Sequence, residues 1–219
     1  TPEEAKAFLA DKDENKRDKL IDRLLASTDY ANFFANKWSS LLRNKRTKTS
    51  YQRGNYAFHA WVRDSLHQNK PYDQFVREVV AASGEMVHNP AVGWYREVKT
   101  VQNQLEDTAQ LFLGTRIQCA QCHHHPFEKW SQKDYYQLSA FFSQVGRAKG
   151  RLPDEDIIYH KRGIAKATNK KDNTPVQPAG LGAQTAVVSA DDDPRQALVD
   201  WMSAKDNPFF AHTFVNRYW

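Results

Sequence analysis

Apolar residues recur along the first two thirds of this chain at intervals of three and four, the spacing that lines one side of a helix. Thr1 to Leu9 is a short helical candidate, and the stretch Glu14 to Leu25 places Leu20, Ile21, Leu24 and Leu25 on one stripe. Ser27-Thr28-Asp29 offers capping side chains for a third helix carrying Tyr30, Phe33, Phe34, Trp38, Leu41 and Leu42. A polar, basic stretch from Asn44 to Asn55, with Gly54 in it, precedes a fourth helix, Tyr56 to His67, with Phe58, Trp61, Val62 and Leu66. Asn69-Lys70-Pro71 breaks the pattern, and Pro71 suits the first turn of a fifth helix bearing Phe75, Val76, Val79 and Val80.

From Ser83 to Trp94 the signal is loop-like, with Gly84, Asn89-Pro90 and Gly93. A long helix is predicted from about Val98 to Leu113, with Leu105, Ala109, Leu111 and Phe112 inward and Gly114 at its end. Ser131-Gln132-Lys133-Asp134 has the form of a capping box with Asp in place of Glu or Gln; it opens a helix with Tyr135, Leu138, Phe141, Phe142 and Val145. Beyond Gly150 come Pro153, Pro175, Pro178, Gly180 and Gly182, and a basic polar run from Lys166 to Lys171. Ile157-Ile158-Tyr159 and Ala186-Val187-Val188 are the strand candidates, expected to pair as a small hairpin. Asp191-Asp192-Asp193-Pro194 caps a last helix with Leu198, Trp201 and Met202. The expected fold is mostly α: an irregular helical domain, with a minor β-hairpin in the C-terminal third. Its expected parts are a helical body over 1–150, an irregular excursion over 151–193, and a returning C-terminal helix over 194–219.

Composition narrows the classes. The chain has 219 residues and 40% hydrophobic content, enough for a real core. No run approaches the roughly 18 apolar residues of a membrane-spanning helix. Thr1-Pro2-Glu3-Glu4 reads as a helix start already inside a protein, so a processed chain or a piece of a longer one is expected. The net charge of +5 favours acidic partners, although the densest basic cluster, Arg43 to Lys48, sits where a helix ends and suits the dipole there. A nucleic-acid partner is not indicated.

Only two cysteines occur, in Cys119-Ala120-Gln121-Cys122-His123. This is the C-x-x-C-H spacing of covalent haem attachment. Two thiols must add across two vinyl groups on one porphyrin edge, and residues three apart on a helical turn share a face. The next residue, His123, stays on that face and offers its imidazole to the iron as proximal ligand. With 2 Cys and 8 His in the chain, chance would produce this arrangement about once in a few thousand sequences. A zinc staple using Cys119, Cys122 and a nearby His is the first alternative, but a His adjacent to a Cys ligand strains a tetrahedral site. A thioredoxin-like pair would need a βαβ context that the helical surroundings lack. Two ordinary reduced cysteines would explain neither the spacing nor the histidine.

The segment Leu105-Glu106-Asp107-Thr108-Ala109-Gln110-Leu111-Phe112-Leu113-Gly114-Thr115-Arg116, the cysteine motif, His125-Pro126-Phe127-Glu128-Lys129-Trp130, Asp134-Tyr135-Tyr136 and Ala140-Phe141-Phe142 together resemble a planctomycete secreted cytochrome-type family, domain of unknown function 1549. Asn69-Lys70-Pro71-Tyr72-Asp73-Gln74-Phe75 fits the same pattern. Asp206-Asn207-Pro208-Phe209-Phe210 and Val215-Asn216-Arg217 resemble the start of the domain that usually follows. The resemblance covers most of the chain and thins between Gly150 and Ala190. It implies an exported protein, periplasmic or extracellular, with one covalent haem c, in a larger multidomain chain; it implies no settled reaction. His124 departs from it, standing where the family more often has an acidic residue.

A second axial ligand would decide between electron transfer and catalysis at an open iron position. His59, on a strong helix, is the first distal candidate; Met86 and His88, in the loop-like stretch, follow. His125 is too close to His123 to reach the other haem face, and is expected to orient neighbours or bond a propionate. Trp130, Tyr135 and Phe141 are candidate pocket walls, and Arg116 and Lys129 candidate propionate partners. The functional expectation is electron transfer through a mono-haem c group to a redox partner protein. The alternatives are a haem enzyme acting on a small or carbohydrate-derived molecule, and a zinc-stapled interaction domain.

Overall fold

The computed structural model describes residues 1–45, 51–151 and 155–218. The helices are α1 (Pro2–Ala10), α2 (Lys16–Leu25), α3 (Thr28–Leu41), α4 (Gln52–His67), α5 (Tyr72–Val80), α6 (Val101–Phe112), α7 (Gln132–Ala140), α8 (Pro194–Ser203) and α9 (Phe210–Tyr218). Short 3-10 segments span Pro90–Arg96 and Gln118–Gln121. The strands are β1 (Val145–Lys149), β2 (Asp156–His160), β3 (Ala167–Thr168) and β4 (Pro175–Val176), forming two antiparallel pairs. The protein is mostly helical, as its periodicity predicts. No helix among the described residues is long and apolar enough to cross a membrane.

Local signals set most helix starts. Ser27 Oγ accepts from Tyr30 N at 3.2 Å and caps α3; Thr100 Oγ1 accepts from Asn103 N and caps α6; Asp193 Oδ1 accepts from Arg195 N and caps α8. Thr100 places the α6 start at Val101 rather than Val98. Gly114 takes φ +65° just after α6, where an L side chain would be strained. The expected last helix is two helices, α8 and α9, because Asn207 turns the chain by accepting from Phe209 N and Phe210 N.

One buried cluster joins Trp38, Phe58, Val76, Trp94, Phe112, Phe142, Leu198 and Met202. It draws on the expected helical body and the returning helix alike. α3 packs along α4, and α5 along α8. The stripe on α2 does not reach this core. Ile21, Leu24 and Leu25 stay about half exposed because α2 rests only lightly on α3, while Lys16 Nζ ties its start to α1 by donating to Phe8 O and Asp11 O. Phe33, expected inward on α3, is 68% exposed, since the buried side of that helix is Ala31, Ala35 and Trp38. Arg43, at φ +55° past α3, pairs with buried Asp107; Arg46 and Lys48 of the same basic cluster lie outside the described residues.

Two expectations in irregular regions are corrected. The stretch read as loop from Ser83 to Trp94 runs into the 3-10 segment Pro90–Arg96, whose residues Ala91 to Arg96 are all buried. A consecutive apolar run can be buried on every side without showing a period. The expected hairpin between Ile157–Tyr159 and Ala186–Val188 does not form. β2 pairs instead with β1 in the register Val145↔His160 and Lys149↔Asp156, a hairpin that spans the expected boundary at residue 150. On the other edge Ile158 exchanges backbone bonds with Gly84, at 2.7 and 3.1 Å. Both edges of β2 are therefore taken at Ile158, and Val187 is left fully exposed.

Candidate functional site

The cysteine motif lies on the short segment after Gly114. Ile117 and Ala120 are fully buried and anchor it, while Cys119, Cys122 and His123 are exposed on its other side. Ala120 N donates to Ile117 O at 2.9 Å, and both Cys122 N and His123 N reach Cys119 O at 3.4 Å. One closed turn thus carries both free thiols and the imidazole. Helix α7 holds that turn in place: Gln132 Nε2 and Tyr136 Oη donate to Gln121 O at 3.0 and 3.2 Å.

The start of α7 is fixed by the predicted capping box. Ser131 Oγ accepts from Asp134 N, and Asp134 Oδ2 accepts from Ser131 N at 2.7 Å. Ser131→Ala is expected to cost about 1 kcal/mol, read as a lower urea midpoint with an unchanged slope. A midpoint equal to that of the parent chain would remove the cap from the account.

His123 Nδ1 lies 2.6 Å from His124 O. A carbonyl only accepts, so Nδ1 carries a proton, and in the neutral ring Nε2 keeps the lone pair. His125 is used differently. Its Nδ1 accepts from Phe127 N and Glu128 N at 3.3 and 3.0 Å, and its backbone N donates to Trp130 O. It therefore shapes the 125–130 loop beside the motif.

A cleft of about 360 Å³ opens beside Cys122, His123 and His124, lined also by Gln121, Gln132, Lys170 and Lys171. The lysines come from the turn between β3 and β4, where buried Asn169 accepts from Lys171 N through Oδ1 and donates its own N to Thr174 O. β3 and β4 pack on α7, which brings this turn to the motif. The sequence showed only a basic polar run there, and nothing in its pattern tied the run to a site about fifty residues earlier.

The other sequence candidates lie elsewhere. His59 Nε2 faces Asn36 Oδ1 at 3.0 Å, so it donates to α3. Met86 is buried over Gly54, where an added Cβ would stand 2.2 Å from its Sδ. His88 is exposed in a turn closed by its own N–H to Glu85 O. None of the three lines the cleft. Trp130, Tyr135 and Phe141 are buried members of the common core rather than cleft walls: Trp130 packs edge-on against Phe209, and α7 turns Tyr135 against α6. Tyr135 Oη donates to Glu106 Oε1 at 2.8 Å, and burial, reinforced by that carboxylate, pushes its phenol up. Arg116 is exposed, and exposed Lys129 lies over the Trp130 ring, 5.0 Å from its centroid. Neither lines the cleft.

Among protein families, PSCyt2, described as a protein of unknown function (DUF1549), has a sequence model that matches residues 1–147. The chain belongs to this family. No curated protein matches it, and no solved structure does. The PSCyt2 match takes in the whole cysteine motif and ends within β1. Lys170 and Lys171 therefore reach the cleft from beyond the matched span.

Proposed function

We propose that this chain is a mono-haem c-type cytochrome domain that transfers electrons, with haem held at Cys119, Cys122 and His123. The observation that carries the reading is the His123 Nδ1–H bond to a backbone carbonyl beside two free, exposed thiols on one turn. Such a bond fixes the tautomer, orients the ring and leaves Nε2 for the iron. The donor set thus fits the group. Bound haem would supply a one-electron ferrous/ferric couple. Cys119 and Cys122 would form its thioethers, with Lys170 and Lys171 making the rim beside Cys122 and His123 basic. A basic rim of this kind also suits an acidic redox partner. Covalent haem carries with it the exported location, periplasmic or extracellular. The zinc alternative has less support: among the described residues no group of three or more His, Cys, Asp or Glu is arranged to hold a metal ion.

A second reading, a haem enzyme with an open sixth position, is favoured by the placement of His59, Met86 and His88 away from the cleft. Absorbance tests both. Protein matured in cells that assemble c-type cytochromes should show a sharp α band on reduction. Carbon monoxide should bind the reduced form without displacing a protein ligand. Iron-free, colourless protein would end both readings, and a six-coordinate spectrum indifferent to carbon monoxide would end the second alone.

A further inference from the structure

Phe127 is 93% exposed, and no aromatic side chain among the described residues is more so. It stands four positions after His123, so the two Cα atoms lie within about 14 Å of each other, the reach of four extended residues. A single apolar side chain on a surface is ordinary. This one is held there. His125 Nδ1 accepts from both Phe127 N and Glu128 N, and His125 N donates to Trp130 O at 2.8 Å. Trp130 is buried and meets Phe209 edge-on, which ties the far end of the turn to the core. Residues 125–130 thus form a closed turn between the cysteine motif and the core, with Phe127 displayed on it.

The charge around the ring is one-sided. Arg116, Lys129 and Lys133 are exposed on the same stretch of chain, and Lys170 and Lys171 line the cleft beside Cys122 and His123. Lys129 Nζ lies over the Trp130 ring, which keeps its charge beside the turn. Exposed Glu128 and Asp172 oppose these five cations, and Asp172 is already engaged by Thr174 N and Thr174 Oγ1. An aromatic side chain framed by charge has the anatomy of an interface core with its polar rim. The sign of the rim selects the partner.

We propose that Phe127 anchors the redox partner of this chain, an acidic protein with an apolar socket that takes the ring while its carboxylates meet the surrounding lysines. The proposal rests on the haem reading and adds to it the point of contact. Docking at Phe127 sets the partner beside His123, where an electron would enter or leave.

The test uses the haem-loaded chain in its reduced form with two oxidants. One is plastocyanin, a small copper protein with acidic residues beside an apolar surface; the other is ferricyanide, a small anion that needs no socket. Stopped-flow absorbance gives a second-order rate constant for each. Phe127→Ser should slow the reaction with plastocyanin about tenfold, the loss of one aromatic anchor. It should leave the ferricyanide rate, the visible spectrum and the unfolding midpoint of the haem-free chain as they are. Phe127→Leu should restore most of the plastocyanin rate. Lys170→Ala/Lys171→Ala should slow both oxidants and flatten the fall of rate with added salt. Equal plastocyanin rates for Phe127→Ser and the parent would overturn the proposal, as would a parent chain that does not react with plastocyanin. Slowing of both oxidants by Phe127→Ser, or a changed spectrum, would overturn it too and assign the ring to the haem. A chain that is colourless from the outset would instead end the haem reading, and the proposal with it.

Discussion

Alanine at both Cys119 and Cys122 should abolish covalent pigment, so that no haem survives acid-acetone extraction or migrates with the denatured chain on a gel. The expected effect is complete for the double variant, while either single variant keeps one thioether. Both thiols are exposed and form no disulfide. Their removal should change stability by no more than about 0.5 kcal/mol, as for other surface substitutions away from special contacts. Loss of haem in a chain that still unfolds at the midpoint of the haem-free parent would then report on attachment and not on folding. His123→Ala tests the adjoining role: haem should remain covalently bound while its axial spectrum changes. Covalent haem persisting in the double cysteine variant would refute the proposed site.

The largest stability effect is expected far from that site, at Arg195. Its side chain is 1% exposed, yet every nitrogen of the guanidinium is used. Nη1 donates to Ala82 O and Tyr95 Oη, Nη2 to Ser83 Oγ and Asp193 Oδ2, and Nε to Asp193. Burial opposes the charge, but Tyr95 and Asp193 more than offset it and hold the group protonated. Burial likewise pushes the Tyr95 phenol up, with Arg195 acting against it. Arg195→Met would strand the largely buried Asp193 carboxylate and leave the Ala82 carbonyl without this donor. Removing one partner of a buried pair costs about 3–5 kcal/mol. In a chain of this size that is a fall of roughly 10 °C in melting temperature at about 2–4 °C per kcal/mol. The double variant Asp193→Asn/Arg195→Met should lose less than the two single losses added together, because the stranded charge is gone. A melting temperature within 2 °C of the parent for Arg195→Met, taking about 2–4 °C per kcal/mol, would show that the network does not hold α8 to the core.

The limits of the sequence can be followed residue by residue. Val76 and Val79 on α5, and Leu105 and Ala109 on α6, are buried where their spacing puts them. Leu24 and Leu25 have equally regular spacing but stay exposed, because periodicity states which side of a helix is apolar and not what covers it. His59 stands on the rigid helix α4, as its spacing predicts, and only the packing shows that its ring meets Asn36 of α3. Lys170 and Lys171 carried no local mark of function; their position follows from Asn169 shaping a turn that β3 and β4 dock on α7.

What the chain determines by itself is local: caps at Ser27, Ser131 and Asp193, apolar stripes on the central helices, and two thiols and an imidazole on one turn. Those features depend on backbone sterics and hydrogen bonds between residues a few positions apart, which any reader of the sequence can count. The partner of β2, the burial of Ala91 to Arg96, the lysines beside His123 and the joining of Tyr95 to Arg195 were decided only when the elements packed. Each joins positions far apart in the chain. Burial and unpaired polar groups choose among such pairings, and these energies exist only once distant surfaces have met.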